Sequence, residues 1–299
     1  LQKNYDETKG VFNTTFSEIN VACEACHGPS SSHVSYYKEQ EENEAGGILP
    51  PELYMGTAVA PKELVDKCAR CHSRRGNLTP YFDYTGNFTD HYFPRMLEEP
   101  LYEPDGQIRD EVYVYGSFLQ SKMYGLGVSC KDCHDVHSLK LKKEGNDLCL
   151  TCHVPDTYNS PEHHYHKMNT EAALCINCHM DGKLYMVNDY RRDHSFRIPR
   201  PDQSAQYNTP NACNKCHSDK SAEWASDFII DKYGPERADH FSDHLLKGYF
   251  EDPEEFKKVF SNKNYPEIAR ATAVGLYVNT PISSEEMLDL TRYLNDSSI

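Results

Sequence analysis

All twelve cysteines of this sequence fall in pairs of the form Cys-x-x-Cys, and each pair is followed at once by histidine. The six motifs are CEACH (Cys23, Cys26, His27), CARCH (Cys68, Cys71, His72), CKDCH (Cys130, Cys133, His134), CLTCH (Cys149, Cys152, His153), CINCH (Cys175, Cys178, His179) and CNKCH (Cys213, Cys216, His217). Three chemistries use cysteine pairs. A disulfide framework takes an even count but makes no use of the histidines. Zinc knuckles use Cys-x-x-Cys without requiring histidine next door. Covalent haem uses all three residues. The two thiols add to the porphyrin vinyl groups as thioethers, and the next residue turns its imidazole under the iron. Histidine is 15 of 299 residues, so finding it after all six pairs by accident has a chance on the order of 10⁻⁸. The pattern predicts six haem c groups, with His27, His72, His134, His153, His179 and His217 as proximal ligands.

An iron in haem takes two axial ligands, so six irons ask for six further donors. His33, His91, His137, His163, His166 and His194 are the candidates. His137, in GVSCKDCHDVHSLKL, lies three residues after His134. It is expected one turn along the same short helix, where it would serve a second iron and draw two porphyrins together. His33 follows His27 across HGPSSSH. His163 and His166, in PEHHYH, read as one turn apart on a shared face, with His164 pointing away. His91 in TDHYFPRM and His194 in RRDHSFRIPRP lie just outside motif segments. His240 and His244 read as surface residues in a helical stretch. Met123 is the rival donor and would raise the potential of its haem. Met180 directly follows His179 and cannot reach the same iron.

The elements that must position these groups are sparse in aliphatic side chains. Hydrophobic residues make up 38% and the mean hydropathy is −0.74, so an ordinary core would be thin for 299 residues. The haem macrocycles are expected to fill the interior. A net charge of −15 without a basic patch excludes nucleic acid as a partner. No stretch approaches the roughly 18 apolar residues of a membrane span. The fold class expected is mainly α, with many haem-wrapping loops and one short β-hairpin. That hairpin is placed at LYEPDGQIRDEVYV, around a Pro-Asp-Gly turn. Residues 1–220 are read as a hexahaem cytochrome c domain and 221–299 as antiparallel helical repeats. In the latter, DPEEFKKVF starts on Asp252 and Pro253, YPEIARATAVGLYV follows with Pro266, and SSEEMLDLTRYL carries Ser283 and Glu286 in a capping-box arrangement. The repeat stack is expected to be incomplete at Ile299.

The ordered set VACEACHGPSSSHV, DGQIRDEVYVYGSFLQSKMY, GVSCKDCHDVHSLKL, CINCHM, RRDHSFRIPRP and TPNACNKCH resembles the multihaem cytochrome c family related to the tetrahaem electron carrier of ammonia oxidisers. The likeness is to its larger members with C-terminal TPR or HEAT-type repeats, and it spans roughly residues 1–220. It implies bis-histidine haems, an export signal and further Cys-x-x-Cys-His sites upstream of Leu1. Asp181 departs from the Pro often found after CHM in relatives, a change expected to touch only a turn.

Electron transfer is the function these features predict, because six donors for six irons leave no open coordination site. The alternative is an oxidoreductase acting on nitrite or hydroxylamine at one haem with a vacant distal position. No Cys-x-x-Cys-Lys variant occurs. Redox proteins or further haem subunits are the expected partners, with a homo-oligomer or filament as an extension. The haem at Cys23 and Cys26 is expected near the surface, facing such a neighbour. Covalent haem attachment takes place outside the cytoplasm, which predicts a periplasmic or extracellular protein.

Overall fold

Short helices joined by long loops dominate the fold, and strands occur as short antiparallel hairpins. The computed structural model describes residues 3–16, 20–42, 60–79, 82, 84 and 86–296. Ile299 lies outside these residues. The chain divides into two compact units, Leu1–Arg70 with Asn77–Phe93 and Cys71–Gly76 with Pro94–Ile299. No helix among the described residues is long and apolar enough to cross a membrane.

In the first unit, helix Cys23–His27 carries the first motif and helix Ser31–Glu42 carries His33. The link between them is tied down by Glu24, whose carboxylate accepts from the Ser30 backbone N–H at 2.7 Å and from the Ser30 hydroxyl at 2.6 Å. Helix Pro61–His72 carries the second motif at its C-terminal end, with Cys71 and His72 falling in the second unit.

In the second unit the apolar core gathers at one place. Leu97, Tyr102 and Val112 pack with Phe241, Leu245, Phe256, Val259, Ile268, Ala273 and Tyr277. The helices contributing to it are Phe241–Phe250, Glu255–Ser261 and Glu267–Val278. The first two approach closely because residue 248 is glycine, since a Cβ there would run into the ring of Phe256. Helix Ser284–Leu290 starts on the expected reciprocal cap of Ser283 and Glu286. The helix read as starting on Asp252 and Pro253 begins later, at Glu255. Asp252 instead folds back, accepting from the Glu254 N–H at 3.0 Å.

The position expected for the hairpin is corrected. The Pro104–Asp105–Gly106 turn exists, but its flanks form a single bridge, Tyr102 to Ile108, rather than a regular hairpin. A regular four-rung hairpin lies instead at Gly182–Tyr185 with Asp189–Arg192. Its turn uses Met186 at φ 44° and Val187 at φ 73°, a conformation that a β-branched residue rarely adopts.

Between residues 130 and 217, where four motifs lie, the buried apolar side chains are only Ala173 and Pro201. Apolar burial at about 25 cal/mol per Å² cannot hold such a segment together. Its protein-side support is polar, and it centres on the motifs.

Candidate haem-binding sites

Each Cys-x-x-Cys pair lies on a single helical turn, so that both thiols leave the same side of the backbone. The fourth motif uses a 3₁₀ turn, Cys149–Thr151, in place of an α-turn. Polar side chains fix the starts of the third, fifth and sixth motif turns. A capping box of Ser129 and Asp132 opens helix Cys130–Cys133. Asn211 accepts from the Asn214 N–H at 3.0 Å to open helix Ala212–Cys216. Helix Cys175–His179 has no cap of its own, and Asn146 supplies one from a distance. Its Oδ1 accepts from the Cys175 N–H at 2.9 Å while its Nδ2 donates to Ala173 O at 2.9 Å.

The other end of the CINCH helix is held by Arg192. Its guanidinium donates to Ile176 O at 2.9 Å, Met180 O at 3.1 Å and Asn177 Oδ1 at 2.9 Å. Lys215, inside CNKCH, joins Asp181 at 2.5 Å and Gly182 O at 2.6 Å. Asp181 thus does more than occupy a turn. It ties the sixth motif to the chain leaving the fifth.

These contacts bring motifs three to six into a series. Cys133 lies near Cys152 and Cys149. Cys149 and Cys175 are close enough for each thiol to shift the ionisation of the other, and Cys178 lies near Cys213 and Cys216. His194 lies near both His134 and His72. No disulfide joins any of the twelve cysteines. Among the described residues no three His, Cys, Asp or Glu side chains converge as a zinc site requires.

The fit to haem can be tested on the imidazoles. A ligating histidine usually donates its second ring N–H to a carbonyl or carboxylate, which leaves the other nitrogen as a lone pair for the metal. His179 Nδ1 faces Arg197 O at 2.8 Å and His194 Nδ1 faces Arg192 O at 3.0 Å. His166 Nδ1 faces His164 O. A carbonyl only accepts, so the proton sits on Nδ1 in all three and Nε2 is free to bind iron. Burial holds His134, His163, His179 and His194 below the ordinary imidazole value, which keeps them in the neutral, ligating form. The donor set fits haem c.

The remaining candidates divide. His91, buried at the end of helix Phe88–His91, has Nδ1 3.0 Å from the Thr79 hydroxyl. His33 is half-buried with its ring 5.0 Å from that of Tyr37. Of the rival donor, the half-buried Met123 sits on helix Lys122–Gly125. His137 is exposed and is not on the helix of its motif. That helix ends at Cys133, His134 is extended at φ −107° and ψ 143°, and His137 sits in a turn. The Asp135 carboxylate makes the turn by accepting from the His137 and Ser138 N–H groups at 3.1 and 2.7 Å. His134 and His137 are therefore not one turn apart on a shared helix, contrary to the expectation. His163 and His166 do not share a helix face either. Helix Pro161–His164 ends before Tyr165, which is left-handed at φ 55°.

His164 and His240 are set the opposite way, and His244 turns both ring nitrogens to carboxylates. His164 Nδ1 accepts from the His166 N–H at 3.1 Å, so its proton belongs on Nε2, a buried atom with no hydrogen-bond partner among the described residues. His240 and His244 are half-buried rather than surface residues. His244 bridges Glu255 at 2.7 Å and Asp239 at 3.1 Å. His240 caps helix Phe241–Phe250, its Nδ1 accepting from the Ser242 N–H at 3.2 Å. Burial, with Arg197 and Arg200 nearby, pushes its pKa down to about 3. The folded state thus refuses a proton that the unfolded chain accepts near its ordinary value, and stability falls as pH drops below about 6.5. At pH 4.5 the loss from His240 is roughly 2 kcal/mol relative to pH 7. Urea unfolding of His240→Asn, which keeps a cap but does not titrate, is expected to lose that much less stability over this range. Equal losses in both proteins would contradict it.

No family model and no curated protein matches the chain. One solved structure, titled outer cell wall cytochrome OcwA, superposes with a TM-score of 0.47 at 15% identity, covering 90% of this chain and 67% of that one. A likeness this faint carries no functional inference. The chemistry rests on the six Cys-x-x-Cys-His turns and on imidazoles whose Nε2 is left for a metal.

Proposed function

We propose that this protein carries single electrons along a series of covalently bound, bis-histidine haems, six in all. The observation that carries the reading is the succession of motifs three to six, each with a cysteine near a cysteine of the next. Bound haem supplies a one-electron iron couple whose potential follows its axial ligands. The chain's own residues do the rest. Cysteines fix each group, Asn146, Arg192 and Lys215 hold the motifs against one another, and carbonyl-anchored histidines present Nε2. Histidine on both sides leaves an iron no open position for substrate. This favours a carrier over an oxidoreductase of nitrite or hydroxylamine.

The reading extends to partners and place. Redox proteins or further haem-bearing subunits, including copies of this chain in an oligomer or filament, are the donors and acceptors. Haem attachment outside the cytoplasm puts the protein in the periplasm or beyond the cell. The kinship with relatives of the ammonia-oxidiser tetrahaem carrier, and the division into a haem domain and helical repeats near residue 220, belong to the same proposal. Intact mass under denaturing conditions tests it, with the polypeptide plus six haems expected. A mass without haem would overturn the reading. Steady turnover of nitrite or hydroxylamine by the fully loaded protein would favour the enzyme.

A further inference from the structure

We infer that His163 and His179 are the two axial ligands of one iron and His166 and His217 those of the next. The six residues Pro161–His166 then strap the last two haems together. The inference rests on the haem reading above and adds the pairing of ligands.

Ring spacing carries the assignment. An imidazole nitrogen bonds a metal at about 2 Å, and the ring centre lies just over 1 Å behind it, so two imidazoles across one metal have centres roughly 6.3 Å apart. Two imidazoles joined directly by an N–H···N hydrogen bond would have centres roughly 5.2 Å apart. His163 and His179 lie at 6.2 Å with ring planes 13° apart, and His166 and His217 at 6.1 Å with planes 36° apart. Both pairs match the metal-bridged spacing. The neighbours His164 and His166 are also 6.3 Å apart, so distance alone does not decide. Those two are fixed by local backbone bonds, whereas each assigned pair joins a motif histidine to a residue remote in sequence. In both pairs at least one Nδ1 is committed to a carbonyl, at His179 and at His166.

The backbone explains how one segment serves two irons. Helix Pro161–His164 delivers His163 toward His179, and left-handed Tyr165 then turns the chain so that His166 faces His217. Helix Ala222–Tyr233 backs the strap. The Tyr233 hydroxyl donates to His163 O, the Tyr165 ring stands edge-on to Phe228 at 5.5 Å, and Trp224 lies 5.1 Å from His217.

The test is a spin count by EPR on the oxidised, fully haem-loaded protein and paired variants. His163→Ala and His166→Ala are each expected to turn one haem in six high-spin, and added imidazole should return it to low spin. The pairing is read from the double variants. His163→Ala with His179→Ala should still affect one haem, because both ligands belong to one iron, whereas His163→Ala with His217→Ala should affect two. For His166 the pattern reverses. Two affected haems in the first double variant, or one in the second, would overturn the pairing while leaving the electron-carrier reading intact. A parent protein with no low-spin haem would overturn both. Should an alanine variant fail to mature, His163→Met is expected to keep every haem six-coordinate and to raise one midpoint potential. Unchanged potentials would count against the assignment.

Discussion

Replacing Asp105 with alanine is expected to lower unfolding stability by about 3–5 kcal/mol, the range for breaking a buried ion pair from one side. The Asp105 side chain is 1% exposed and meets Arg197 Nη1 at 3.2 Å. It also accepts from the Gln107 backbone N–H at 3.0 Å and from Gln107 Nε2 at 2.7 Å. Without it, Arg197 keeps a largely buried charge whose Nε has no partner among the described residues, where the Gln120 amide oxygen at 3.0 Å is its remaining side-chain acceptor. The effect should reach the haem site, because the Arg197 carbonyl is what His179 Nδ1 donates to. Urea unfolding measures the first effect, and a changed g-value at a single low-spin haem reports the second. A loss under about 1 kcal/mol, the range of exposed pairs, would show that the pair does not support this site.

The second large effect is expected from Cys149→Ser with Cys152→Ser. The fourth motif stands between the third and the fifth, with Cys149 in reach of Cys133 and Cys175. Its loss should remove one haem by mass and slow electron passage from one end of the series to the other by orders of magnitude. Removing the haem of Cys213 and Cys216, at the end of the series, should leave transfer among the others intact. Stopped-flow reduction followed by rapid spectra separates the two cases. Similar kinetics in both variants would mean that electrons do not travel along the chain in this order.

Much of the chemistry was legible in the sequence because it is local. A Cys-x-x-Cys-His turn needs only five residues, and the Ser283–Glu286 cap only four. What could not be read is what depends on remote atoms. The carbonyls that fix the tautomers of His179 and His194 belong to Arg197 and Arg192, and nothing in a spacing rule points to them. The helix expected through His134 and His137 fails because Asp135 captures two backbone N–H groups in a competing turn, as Asp side chains often do. The hairpin at residues 182–192 is not legible in the sequence because its turn, Met186–Val187, carries no Gly or Asn-Gly signal. Packing of the tail helices onto Leu97, Tyr102 and Val112 is likewise invisible in a periodicity.

The most direct test of electron transfer by closed, bis-histidine haems is the EPR spectrum of the oxidised, fully loaded protein with and without added nitrite. The expected result is low-spin signals accounting for all six haems, unchanged by nitrite or hydroxylamine. A high-spin signal worth one haem in six, shifting when either compound is added, would contradict it and make that iron a catalytic centre.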